Sequence, residues 1–168
     1  MRRLTEGMAV RKLILDADFD EVDFTLIGIL CAIEDYRLAY LLNKNLEIIL
    51  SRKPSDFDCG SDKMGYPIFQ WEDTKQFITW NLVSNSCKRE VTHQSNKKSL
   101  FDAEEKSIQT TYLLPEYKAV NYLLKIENEC STRKEAFILN KIMSIPQIAT
   151  AFSIDIDQLK SKDNLIFN

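Results

Sequence analysis

The sequence predicts an α+β fold: a single domain in which a largely antiparallel sheet is covered by two helices. Three observations predict it. Several segments alternate apolar and polar residues with a period of two, two others carry apolar residues at helical spacing, and the C-terminal third reads strand–helix–strand. That last unit is a β-α-β of the ferredoxin-like or ACT type, and its connection is long enough to make its two strands parallel within one sheet.

Residues 1–11 are polar and read as a flexible tail, which leaves 12–168 as one domain. Lys12–Asp16 is a short strand or an extended lead-in. Phe24–Ile33 is apolar throughout and rich in β-branched residues, the pattern of a strand buried on both faces. Asp35 stands where an N-cap would, and Asp35–Leu46 follows as a helix. Ser51–Gly65 has the Ser, Asp, Gly and Pro content of a loop. Tyr66–Glu72 and Phe77–Ser84 alternate and form a hairpin, with Pro67, Phe69 and Trp71 on one face of the first strand and Ile78, Trp80 and Leu82 on one face of the second. Asn85–Ser107 is polar and reads as a long connection, with room for a strand near Ser99–Phe101. Ile108–Leu114 and Ala119–Glu127 are read as strands joined by a tight reversal at Pro115–Lys118, with Val120, Tyr122, Leu124 and Ile126 on the core face and Asn121, Leu123 and Lys125 on the other. Thr132 and Glu135 suit a capping box opening a helix to about Ser144, with Ala136, Phe137, Leu139, Ile142 and Met143 inward and Pro146 ending it. Gln147–Ile154 is a half-buried strand, and Leu165–Phe167 is apolar enough to dock on the body.

Composition excludes several classes. A chain of 168 residues can bury about 70% of its unfolded surface and needs no disulfide or metal to be stable. The net charge is −3 and the pI 5.3, without the basic stripe of a nucleic-acid binder. Cys31, Cys59, Cys87 and Cys130 show no CxxC spacing and read as reduced thiols of a cytoplasmic protein. No secretory signal and no membrane-length apolar run is visible. Four glycines, none in a GxGxxG or GxxxxGK[ST] pattern, give no phosphate-cradling loop, and there is no GxSxG.

The carboxylates Asp16, Asp18, Asp20, Glu21 and Asp23 invite a metal-dependent hydrolase reading, since Asp-x-Asp after an apolar strand can supply a nucleophile and an acid. The downstream Lys and acidic pair that such phosphatases need do not follow. The calcium-loop alternative also fails, because Glu21 stands where glycine is required. A solvated acidic turn is the plainer reading. His93 beside Cys87 lies in a polar stretch, a poor support for a nucleophile and base. No catalytic residue, metal ligand or cofactor is assigned. Trp71 and Trp80 can stack on a ligand or simply pack a sheet face.

Leu114-Pro115-Glu116, three spacers and Val120-Asn121-Tyr122 resemble the motif of the bacterial IPExxxVDY family. The likeness extends to Asp35-Tyr36-Arg37-Leu38 and to the C-terminal segments Ser144–Gln147 and Leu159–Phe167, so it spans about Lys12 to Phe167. Leu114 replaces Ile, and Asn121 replaces Asp, which keeps the shape and removes the charge. The resemblance implies a fold and no activity, cofactor or catalytic residue. Glu116 and Asn121 are candidates for shaping a site near one end of the sheet.

The expected function is a non-enzymatic cytoplasmic module that binds a protein partner or a second copy of itself, with no nucleic acid or membrane. Tyr36, Arg37, Trp71 and Trp80 are its candidate contacts, since Arg, Trp and Tyr dominate interface hot spots. The alternatives are an ACT-like small-molecule-sensing domain and, further off, a hydrolase using Asp16–Asp23.

Overall fold

In the computed structural model the described residues are 24–59, 64–93, 105–128 and 132–167. In chain order they form β1 (Phe24–Cys31), α1 (Asp35–Leu46), β2 (Ser51–Arg52), β3 (Phe57–Cys59), β4 (Met64–Tyr66), β5 (Ile68–Asp73), β6 (Ile78–Ser84), β7 (Ser86–His93), β8 (Glu105–Tyr112), β9 (Tyr122–Glu127), α2 (Thr132–Met143) and β10 (Ile148–Ser153). Lys12–Asp16, the Asp16–Asp23 carboxylates, Ser99–Phe101 and Cys130 lie outside the described residues. No helix among those described is long and apolar enough to cross a membrane.

The fold is α+β. Six strands form one sheet in the order β10-β1-β9-β6-β5-β2, antiparallel at every pairing. β9 and β10 are both antiparallel to β1, which lies between them, so they run parallel as the split β-α-β reading requires. β1 and β6 are related in the same way across β9. The series β1-α1-β6-β9-α2-β10 therefore has the β-α-β-β-α-β order of a ferredoxin-like sheet. β2–β5 are inserted before β6, and the two-stranded ribbon β7–β8 before β9.

Each sheet face carries its own core. On one, Leu38 and Leu42 of α1 and Ile138 and Ile142 of α2 pack on Ile27, Ile29, Leu82, Leu124 and Ile126. The other is covered by the insertions and the C-terminal segment, which bring Tyr66, Leu113, Leu114 and Leu165 onto Leu26, Val83 and Leu123. β1 is sealed on both sides, as its unbroken apolar run predicts. Val120 and Ile154 press so closely on this second face that a methyl at Gly28 would meet them at 3.2 and 3.1 Å.

Several expectations are corrected. β8 does not pair with β9 but with β7. β9 is already bonded to β1 and β6 and has no free edge to offer. After β8 the chain passes instead through a 3-10 turn at Pro115–Tyr117. The polar stretch after Asn85 is a strand because β7 and β8 satisfy each other's backbone over eight residue pairs, with Cys87 touching the second core. Ser51–Gly65 contains β2, β3 and the start of β4 rather than a loop alone. The residue capping α1 is Glu34, with Asp35 already in the first turn, where its carboxylate accepts from the Tyr36 amide. The inward stripe of α2 is Ile138 and Ile142 with Leu139 half-buried beside them, so Leu139 and Ile142 fall as expected; Ala136 is exposed, Phe137 is 60% exposed and Met143 also faces out. Val120 lies in the second core, apart from Leu124 and Ile126, and Leu123 and Lys125 are buried there too. A register shift between Leu30 and Cys31 switches the phase of β10, so Ile148 faces the helices while Phe152 and Ile154 face away.

Candidate functional site

At the hairpin end of the helix-covered face the core opens into a cleft of about 320 Å³, between the β5–β6 hairpin, the end of α1 and the first half of α2. Trp71 and Trp80 form its wall. They are direct cross-strand partners, with ring centroids 6.5 Å apart and planes inclined at 36°. Trp80 is buried and Trp71 half-buried, so the pair joins the core to the opening. Phe137, turned off the buried stripe of α2, stands at the rim.

The backbone around this cleft is unusual. Among the described residues three non-glycines have positive φ: Glu47 (58°), Phe77 (58°) and Asn128 (62°). Glu47 lines the cleft, and Phe77 lies between the lining residues Gln76 and Ile78. The Asn128 side chain donates to the Phe77 carbonyl at 3.3 Å. Asn tolerates the left-handed region, but Glu and Phe pay roughly 1–2 kcal/mol each to occupy it. Local bonding holds them there. Asn43 donates to the Leu50 carbonyl and accepts from its amide (3.0 and 2.7 Å), pinning the reversal that carries Glu47 and Ile48. Asp73 accepts from the amides of Lys75 and Gln76 and closes the turn that carries Phe77. Strained residues gather where a surface is shaped for use.

The signature residues do different work. Glu116 accepts from the amides of Lys160 and Ser161, both at 2.9 Å, and so moors the C-terminal segment. Desolvation pushes its carboxyl upward, but the hydrogen bonds from its own amide, from Ser161 and from Lys160 outweigh that and hold it below the ordinary carboxylate range. Asn121 accepts from the Cys31 amide at 3.0 Å, prolonging the β1–β9 pairing, a bond that Asp would also accept. Tyr122 donates to the Ile33 carbonyl at 2.7 Å. Burial first, then Cys31, Asp35 and Glu34, push its phenol up to about 12. It also borders a second cleft of about 400 Å³ with Glu34, Asp35 and Lys88.

Asn85 organises this region, and its sequence context hides it. Fully buried, it donates to the carbonyls of Tyr117 (2.8 Å) and Val120 (3.1 Å) and accepts from the Leu114 amide (2.8 Å). An Asn at the start of a polar stretch gives no sign of a buried role.

Of the candidates, Trp71 and Trp80 are brought together. Tyr36 and Arg37 lie on the outer surface of α1 beside Tyr40, outside the lining of the cleft. Glu116 and Asn121 engage different elements. The residues that sequence reasoning missed are Glu47, Asp73 and Phe137: the first two sat in a link and a turn, and the third had been assigned to the core. Burial raises the pKa of Cys31 and of Cys59, which makes both thiols poor nucleophiles. Among the described residues no group of three His, Cys, Asp or Glu side chains is placed to hold a metal ion.

The fold and cleft define a class: a single-domain α+β protein with a ferredoxin-like strand order and an aromatic cleft at one end of its helix face. No protein-family model, curated protein or solved structure matches the chain.

Proposed function

We propose that the protein is a non-enzymatic interaction module whose docking site is the cleft walled by Trp71 and Trp80. The observation that carries this reading is the meeting of a half-open aromatic pair with the strained Glu47 and Phe77. Exposed apolar groups continue past the opening, with Phe77 79% and Phe137 60% exposed. That continuation favours a macromolecular surface over a small enclosed ligand. A second copy of the chain is one such partner, and Tyr36 and Arg37 on α1 offer a further contact. The cytoplasm as its compartment and the IPExxxVDY resemblance belong to the same proposal, resting on reduced thiols and on residues 114–122 respectively.

Panning a random peptide library against the whole chain tests the reading. Enriched peptides should lose binding to Phe137→Glu and Trp71→Ala, and keep it for Lys88→Glu on the β7–β8 ribbon. Peptides that bind the cleft variants as well as the parent, or a library that enriches nothing, would sink the proposal. The small-molecule-sensing alternative uses the same cleft, whose volume sits at the lower end for ligand sites. A metabolite that raises the melting temperature of the parent but not of Trp71→Ala would decide for it.

A further inference from the structure

The geometry points to an organic cation, a guanidinium or ammonium group on the partner, as the group this cleft receives. The inference rests on the docking reading above and names the chemistry of what docks. Aromatic walls alone would accept any apolar side chain. Among the described lining residues they are joined by two carboxylates, Glu47 and Asp73, and one ammonium, that of Lys134, which is already engaged in an interaction of its own. The Lys141 ammonium, 5.6 Å from the centre of the Phe137 ring, shows that an aromatic group at this rim does hold a cation. An aromatic face is negative at its centre and attracts cations, and a neighbouring carboxylate completes the attraction with a charge-assisted hydrogen bond.

The Asp73 carboxylate and the backbone that carries Glu47 are set in advance. Glu47 is held in a left-handed backbone conformation behind α1, and the Asp73 Oδ1 atom is fixed by two amides. Groups already in place lose little freedom when a ligand arrives. Arginine suits the arrangement best, because its planar guanidinium stacks on an indole while its edge donors reach a carboxylate. A carboxylate-bearing partner would meet like charge at the rim.

The chain has two tryptophans, and both wall this cleft, so indole fluorescence reports on this site alone. The test titrates the full chain with a blocked Leu-Arg-Leu peptide and with the same peptide carrying citrulline, the neutral isostere of arginine. The arginine peptide should give a saturable change, bind at least about tenfold more tightly than its citrulline twin, and weaken as salt is raised. Glu47→Gln, which keeps the shape and removes the charge, should weaken it about fivefold, with circular dichroism unchanged. Equal binding of the two peptides overturns the cation while leaving the docking reading intact. So does tighter binding of a glutamate peptide. No saturable change up to about 10 mM, beyond the millimolar end of specific recognition, also overturns it. Failure of the library panning removes the docking reading itself.

Discussion

The two faces of the sheet are closed by different physics. The helix face is sealed by two amphipathic helices and is almost wholly apolar, from Ile27 and Leu38 to Ile142, with Thr25 of β1 its one buried polar side chain among the described strand residues. The second face is sealed by inserted turns and a C-terminal segment of 3-10 helices, and these bring polar groups inside. Asn85 ties three backbone groups there. Lys125, 4% exposed on β9, donates to the Leu165 carbonyl at 2.8 Å and to Glu127, and lies over the rings of Phe24 and Phe167. A regular helix satisfies its own backbone and can present an apolar stripe; irregular cover cannot, so its backbone must be bonded by side chains. Asn81, buried beside Lys125 in the strand pairing, is the exception: its Oδ1 atom has no hydrogen-bond partner among the described residues.

The comparison predicts that the helix face fails by lost volume and the second face by orphaned polar groups. Ile142→Ala should have the largest effect, a loss of about 3–4 kcal/mol in urea unfolding, because it deletes a fully buried side chain between helix and sheet. Asn85→Leu comes next. It keeps a similar volume yet should still cost about 3 kcal/mol, since the Leu114 amide and two carbonyls lose their partner. If Asn85→Leu proves neutral, the distinction between the faces collapses.

Lys125→Met should cost about 2 kcal/mol, less than Asn85 because the aliphatic stem is replaced by a similar one and Glu127 stays partly in water. Its sharper readout is local. Hydrogen exchange in 162–167 should rise while α1 and α2 stay protected, because the Leu165 carbonyl is what the ammonium holds. Equal exchange in both regions would mean that the C-terminal segment is anchored by apolar contacts alone. On the helix face, Glu47→Gly removes the left-handed strain and offsets it with chain entropy. Stability should stay unchanged or rise by up to about 1 kcal/mol while peptide binding at the cleft falls. A clear loss of stability would show that Glu47 is bound into the fold rather than poised for a partner.

The same difference explains what the sequence made legible. Periodicity reports faces that are closed by regular elements, so β1, α1, the β5–β6 hairpin, the span of α2 and the split β-α-β at the C-terminus could all be read from it. It is silent about Asn85, whose role depends on partners 29–35 residues away, and about β7–β8, which touches the core at Cys87 but otherwise has few apolar residues to report a face. It misleads at Lys125, which alternation assigned to a non-core face, and at Phe137, because a hydrophobic count cannot say where a helix stripe stops. The cleft was half legible: two tryptophans on one hairpin face could be foreseen, but Glu47 reaches it from a left-handed residue after α1 and Asp73 from the turn its own carboxylate closes, and neither position carries a periodic signal.

The smallest effect should come at the edge of the second face, where Glu116 moors the C-terminal segment through exposed amides. Its folded pKa is depressed, so between that value and the ordinary pKa of 4.5 the unfolded chain binds the proton and the folded chain does not. Stability from this carboxylate is therefore complete above the ordinary value and is lost as pH falls through the depressed one. Exposure to solvent keeps the contribution modest. Glu116→Gln retains an acceptor for the Lys160 and Ser161 amides but cannot titrate. Urea midpoints of parent and variant should differ slightly at neutral pH and converge in acid. Curves that stay parallel through the acid range would show that the carboxylate charge adds nothing to the mooring, and that the second face is held at this point by neutral hydrogen bonds alone.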